Sequence, residues 1–211
     1  MRVSSDAEMS GKKTIAVILF DDFELLDVFG PVELLQFVSR YHLEFYAPTP
    51  GKVRSSQGIE VIAPHSLADL EGADLLLVPG GKGTRALVND QEFIKRLTLL
   101  GHASSTVASV CTGAALLARA GLLSGHKATT NKRDYHWVTS FGPDVLWQSS
   151  ARWVQDRTRW TSSGISAGID MTAALIGHFE GQEVLQEILN RAELTVATDP
   201  SHDPFAITPQ R

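Results

Sequence analysis

Three short, largely apolar runs, each ending at an abrupt change of composition, constrain the fold of this chain more than any other feature. Residues 12–20 are rich in Ile, Val and Leu and stop at Asp21-Asp22. Residues 74–78 stop at Pro79-Gly80-Gly81, and residues 106–110 stop at Cys111-Thr112-Gly113. Runs this short and this apolar read as strands buried on both faces, which is the environment of a parallel sheet. Helical periodicity fills the intervals. Pro31 is expected to open a helix over residues 31–40, and Asp90 to cap one that carries Phe93, Ile94, Leu97 and Leu100. A helix over 112–120 ends at Gly121, and a long helical region covers 167–179 and 183–194. A further strand is expected at 42–47, and a hairpin from 53–56 and 59–63 turning at Gly58. The stretch 127–160 is mixed, with strands expected at 145–148 and 152–155. Strands alternating with helices specify an α/β domain, a mostly parallel central sheet flanked by helices.

Composition narrows the function classes. With 211 residues, 43% of them hydrophobic and 20% charged, one domain with a sizeable core is expected over residues 12–198. Residues 1–11 read as a disordered polar lead-in and not as a secretory signal, since they have no apolar h-region. Residues 199–211, with Pro200, Pro204 and Pro209, read as a tail that wraps the surface or frays. A net charge of −5 and no Lys/Arg run argue against a nucleic-acid partner, and no apolar run is long enough to span a membrane. One cysteine excludes an internal disulfide and fits a reducing, cytoplasmic setting.

Ligands of open parallel sheets bind just past the carboxyl ends of the strands. Cys111 sits at such an end, between a strand and a helix start, where the helix N–H groups are expected to favour the thiolate and lower its pKa. A free cysteine is more often a small buried hydrophobe; the strand-to-helix junction is what raises this one to a candidate. Gly80 and Gly81 permit close backbone approach and can aim N–H groups at a developing negative charge. They do not form a phosphate loop, because Gly83 separates Lys82 from Thr84. Among Asp21, Asp22, Glu24 and Asp27, the last is flanked by Leu25, Leu26, Val28 and Phe29 and is the one expected to be buried, hence the candidate acid. His126 and His136 lie in the right part of the chain for a cysteine–histidine pair but carry no other signal. No His/Cys/Asp set has metal-ligand spacing, so neither a metal nor a cofactor is expected. Trp147, Trp153 and Trp160 read as core or dimer packing.

Taken together, Leu26-Asp27-Val28-Phe29-Gly30-Pro31, Val78-Pro79-Gly80-Gly81, Val110-Cys111-Thr112-Gly113 and Ser163-Gly164-Ile165-Ser166-Ala167-Gly168-Ile169-Asp170 resemble the ThiJ/PfpI superfamily, and within it the isocyanide (isonitrile) hydratases. The resemblance runs from about residue 13 to residue 196. It implies a flavodoxin-like sandwich, a cysteine on a strained nucleophile elbow, a homodimer, and a small-molecule substrate. Position by position it makes Cys111 the nucleophile and Asp27 the acid against the thiol, where many relatives carry Glu and the hydratases Asp. Thr112, Gly80, Gly81 and Ile165 become the substrate and oxyanion surroundings. One departure stands out: after Ala128-Thr129-Thr130 many relatives place a histidine, and this chain has Asn131. The implied reaction is hydration of an isocyanide to an N-formamide through a covalent thioimidate. The alternatives are 2-oxoaldehyde chemistry, which more often goes with Glu and His at these two positions, and a cysteine redox or stress sensor. A ligand-sensing module like those fused to AraC-type regulators is less expected, because little chain follows the final helices.

Overall fold

The computed structural model describes residues 11–206. Residues 1–10, most of the expected disordered lead-in, and the last five of the tail lie outside the described residues. A seven-stranded sheet forms the centre: β1 (Lys13–Ile18), β2 (Tyr41–Ala47), β5 (His65–Ser66), β6 (Leu75–Val78), β7 (Thr106–Val110), β10 (Trp153–Asp156) and β11 (Arg159–Ser162). The order across it is β10-β11-β7-β6-β1-β2-β5, all parallel except β10 against β11. All residues of β6 and β7 are buried, as expected of strands covered on both faces. The hairpin is β3 (Gly51–Arg54) with β4 (Glu60–Ala63), and a small parallel pair joins β8 (Lys127–Ala128) to β9 (Leu146–Trp147).

Helices α1 (Leu25–Leu35), α6 (Ala167–Glu180) and α7 (Gln182–Arg191) pack in series as one group. A second group comprises α2 (Thr84–Leu87), α3 (Gln91–Ala103), α4 (Gly113–Arg119) and α5 (Tyr135–Thr139), gathered around α4. The Asp90 carboxylate caps α3 as expected, accepting from the N–H groups of Glu92 and Phe93 at 3.0 Å each. Trp153 and Trp160 are buried in the core.

Two expectations need correction. Pro31 does not open a helix: α1 begins at Leu25 and runs through it. A proline within a helix forgoes one i→i−4 bond, here the one to the Asp27 carbonyl. The earlier start puts Asp27 in the first turn of α1 instead of in a loop. The second correction is β11, which the sequence pattern did not reveal. Thr161 and Ser162 are as buried as any aliphatic, so no apolar run announces the strand. It lies directly beside β7, with Ser162 opposite Val110.

Candidate active site

Adjacent strands β7, β6 and β1 deliver three loops to one edge of the sheet. There the backbone at Cys111 takes φ +58°, a left-handed conformation costly for a side chain with Cβ, by about 1–3 kcal/mol. The surroundings hold it in place. The Cys111 N–H donates to the Ser162 carbonyl at 3.3 Å, and its carbonyl accepts from Thr130 Oγ1 at 2.8 Å. The side chain is 5% exposed.

Asp27 is fully buried beneath it. Its Oδ2 accepts the Gly80 N–H at 2.9 Å, while Oδ1 has no hydrogen-bond partner; the Cys111 thiol is near enough to the carboxyl to favour its charged form slightly. A Cβ on residue 80 would lie 2.6 Å from both N and Oγ1 of Thr112 and 2.9 Å from Asp27 Oδ2, so only glycine lets this turn close. Burial pushes the Asp27 carboxyl well above the usual carboxylate range, against the opposing pull of the Gly80 N–H. Burial likewise raises the Cys111 thiol, the Asp27 charge adds to the rise, and the Thr112 N–H opposes it. The helix-start donor is therefore present as expected, but the expected net lowering of the thiol pKa is not: desolvation outweighs one N–H. With both groups raised, the pair retains protons that two isolated side chains would release.

The other candidates fall out as follows. Gly80 and Gly81 are beside the pair, yet both N–H groups already have protein partners, Asp27 Oδ2 and Thr112 Oγ1 (3.0 Å). They hold the acid and Thr112 in place and are not aimed at a ligand. The Thr84 hydroxyl, which donates to the Gly81 carbonyl at 2.7 Å, lies 3.2 Å from the Thr112 hydroxyl, and the Thr112 backbone N–H faces the sulfur. Ile165, 42% exposed, lines a cavity of about 330 Å³ together with Cys111, Thr112 and Gly81. Asp21 and Asp22 are exposed. Glu24 reaches the cavity wall, its carboxylate accepting from Gln57 Nε2 at 2.5 Å. His126 pairs with Asp156 at 3.6 Å and His136 is exposed on α5; neither lines the cavity. Among the described residues, no group of three or more His, Cys, Asp or Glu side chains could hold a metal ion.

Position 131 is next to the thiol: a Cβ on Gly164 would touch Asn131 Cβ at 2.6 Å and Cys111 Sγ at 3.2 Å. The Asn131 amide is committed to Asp134, giving Nδ2–H to Oδ2 and accepting the Asp134 N–H, both at 3.2 Å. Asp134 in turn pairs with Arg85 at 2.5 Å. No imidazole takes this place, and an amide offers no base of comparable strength. Asp134 and Arg85 carry no recognisable pattern in the sequence, and only the fold joins them.

Below the elbow lies a buried ionic cluster. Lys132 Nζ donates to Thr129 Oγ1 (2.7 Å), the Ala151 carbonyl (2.8 Å) and the Thr130 carbonyl (3.1 Å). Arg152 binds Asp170 through Nε at 2.8 Å, and Asp203 from the tail lies 3.8 Å from Arg152 and 3.9 Å from Lys132. The described part of the tail, expected to wrap or fray, is thus tied in, with the Arg152 N–H donating to the Pro200 carbonyl at 2.8 Å and the Asp203 N–H to the Ser150 carbonyl at 2.8 Å.

With this geometry in view, relatives are informative. A family model described as DJ-1/PfpI matches residues 13–178. The chain belongs to the DJ-1/PfpI family. It is 30% identical over 191 residues to an isonitrile hydratase of Pseudomonas putida, covering 90% of this chain and 81% of that one. It is also 28% identical to the HTH-type transcriptional regulator GbdR of Pseudomonas aeruginosa, over 82% of this chain but about half (48%) of the regulator. Among solved structures, a ThiJ/PfpI family protein from Pseudomonas syringae superposes with a TM-score of 0.80 at 24% identity, covering 93% of this chain and 83% of that one. Drosophila melanogaster DJ-1beta gives 0.76 at 19%, covering 87% and 99%. These likenesses confirm the flavodoxin-like fold.

Proposed function

We propose that this protein is a cysteine-dependent hydratase acting on isocyanides. The observation that carries the reading is Asp27: fully buried beside the Cys111 thiol, held by the Gly80 N–H through one oxygen and with its other oxygen unpartnered. The 30% identity to an isonitrile hydratase and the Asp, not Glu, at this position support it. In the first step the Cys111 sulfur bonds to the terminal isocyanide carbon, and that carbon takes a proton from the Cys111–Asp27 pair, giving a thioimidate. The step starts from the pair with one proton between its two members, so it leaves Asp27 as a carboxylate, which then removes a proton from water as it adds to the same carbon. The C–S bond breaks, the nitrogen is protonated, and an N-formamide leaves with the pair restored. The balance is one isocyanide plus one water. Dividing the reaction between a covalent step and a hydrolytic step is the gain that the thiol supplies.

A ligand-sensing role is the second reading, favoured by the likeness to GbdR. We propose further that the protein works in the cytoplasm as a homodimer. The exposed Leu26 and Phe29 on α1 are apolar surface suited to association, and light scattering after gel filtration measures it. The hydratase reading is tested with para-nitrophenyl isocyanide and chromatographic detection of the formamide. Turnover by the wild type that disappears in Cys111→Ala is expected. Equal turnover by both proteins would refute it, and tight binding without turnover would favour the sensor.

A further inference from the structure

We infer that the natural substrate carries an anionic group, a carboxylate or its equivalent, beside the carbon that meets Cys111. This rests on the hydratase reading for the reaction and adds the class of molecule. The cavity wall holds three cations, Lys82, Arg85 and Arg133, against two carboxylates, Glu24 and Asp134, a local balance of +1 in a chain whose total is −5. The two carboxylates are occupied. Asp134 is bound by Arg85 and Asn131, and Glu24 accepts from Gln57. Arg85 is likewise committed, stacked 3.6 Å above the Trp137 ring while it pairs with Asp134. Lys82 and Arg133 remain, and neither forms a salt bridge among the described residues.

Both are exposed, while Cys111 on the same cavity is buried and the Asp27 carboxyl beside it is fully buried. The cations without a salt-bridge partner therefore lie on the solvent side of the cavity and the reacting groups on its inner side. A ligand fits this arrangement when an electrophilic carbon points inward and a carboxylate is drawn in by Lys82 and Arg133. Ile165, half-exposed on the same cavity, offers the apolar contact for what lies between. A charged rim with a low-dielectric floor concentrates and orients oppositely charged ligands, and salt weakens it.

Cys111 is the only cysteine in the chain, so alkylation reads this cavity alone. Iodoacetate and iodoacetamide react alike, the sulfur forming an S–CH2 bond as iodide leaves, and differ chiefly in charge. The experiment measures their rate ratio at Cys111 by intact-protein mass, with 2-mercaptoethanol as the reference thiol. The ratio for wild type is expected to exceed the reference about threefold or more at low salt, in line with modest electrostatic focusing. It is expected to fall toward the reference in Lys82→Gln/Arg133→Gln and at high salt, and to survive in Arg133→Lys. A ratio unchanged by the double substitution would overturn the inference. In parallel, kcat/KM is compared for 4-isocyanobenzoate and its methyl ester. Retained charge preference in alkylation with no turnover of either isocyanide would sink the hydratase reading and leave the anionic ligand standing. Equal turnover of acid and ester with no charge preference in alkylation would do the reverse.

Discussion

Replacing Lys132 by Met removes an ammonium buried directly under the elbow while preserving most of its volume. The side chain is 5% exposed, and three acceptors lose their donor: Thr129 Oγ1 and the carbonyls of Thr130 and Ala151. Asp203, 1% exposed, loses one of its two neighbouring cations. Breaking a buried ion pair from one side costs about 3–5 kcal/mol. Part of that is offset, because Lys132 itself is penalised: burial lowers its pKa from 10.5 to about 8, with Asp203 pulling the other way. A net loss of about 2–4 kcal/mol follows, or about 4–16 °C in Tm for a chain of this length. The pH dependence has a definite sign. Between pH 8 and 10 the folded lysine has given up its proton while the unfolded one still holds it, so wild-type stability gains with rising pH. The gap between wild type and Lys132→Met should therefore widen over that range. Thermal unfolding followed by circular dichroism at pH 7, 8, 9 and 10 measures both effects. An unchanged Tm, or a gap that narrows above pH 8, would refute the assignment of Lys132 as a buried cation that braces this region.

Further outcomes follow from the same geometry. Gly80→Ala should lower kcat by about 10² or more without unfolding the protein, since its methyl displaces Thr112 and the acid together; formamide production and circular dichroism test the two halves. The folded pKa of Asp27 lies above its unfolded value, so its contribution to stability is present at low pH and lost as pH rises through the folded pKa. Asp27→Asn should accordingly gain on wild type with rising pH, by at most about 1.4 kcal/mol per pH unit, while turnover falls by about 10²–10⁴; urea melts at pH 5, 7 and 9 would show a flat difference if the carboxyl were ordinary. Alkylation of Cys111 by iodoacetamide should keep accelerating beyond the ordinary thiol range near pH 8.5, and Asp27→Asn should shift that profile to lower pH. A plateau already reached at pH 7 would contradict the raised thiol.

Much of this was legible in the chain itself, for identifiable reasons. β6 is a continuous aliphatic run and β7 a short one of small and β-branched residues around Val107 and Val110, and runs of that kind between turn signals have few other places to go. Cys111 was marked by its junction, and Asp27 by apolar neighbours on both sides. Other features left no trace. β11 hides because Thr161 and Ser162 satisfy burial by position and not by composition. The true start of α1 is masked by Pro31, whose usual place is the first turn. The direction of the thiol shift depends on how deeply the sulfur is desolvated, and no spacing rule supplies depth. The three prolines of the tail left wrapping and fraying both open, and what decides for wrapping is Asp203, a partner for two cations that lie about 50 and 70 residues earlier in the chain. Arg85 and Asp134 meet only because α2 and α5 both pack around α4.

The most direct test of the proposed chemistry is the intact mass of the protein, acid-quenched during turnover of para-nitrophenyl isocyanide. A nucleophilic Cys111 paired with an acidic Asp27 predicts a species heavier by one whole isocyanide, confined to Cys111 and absent from Cys111→Ser. It should persist longer in Asp27→Asn if the variant still forms it. Formamide accumulating while the thiol stays unmodified at every quench time, and undiminished in Cys111→Ser, would contradict the account at its centre.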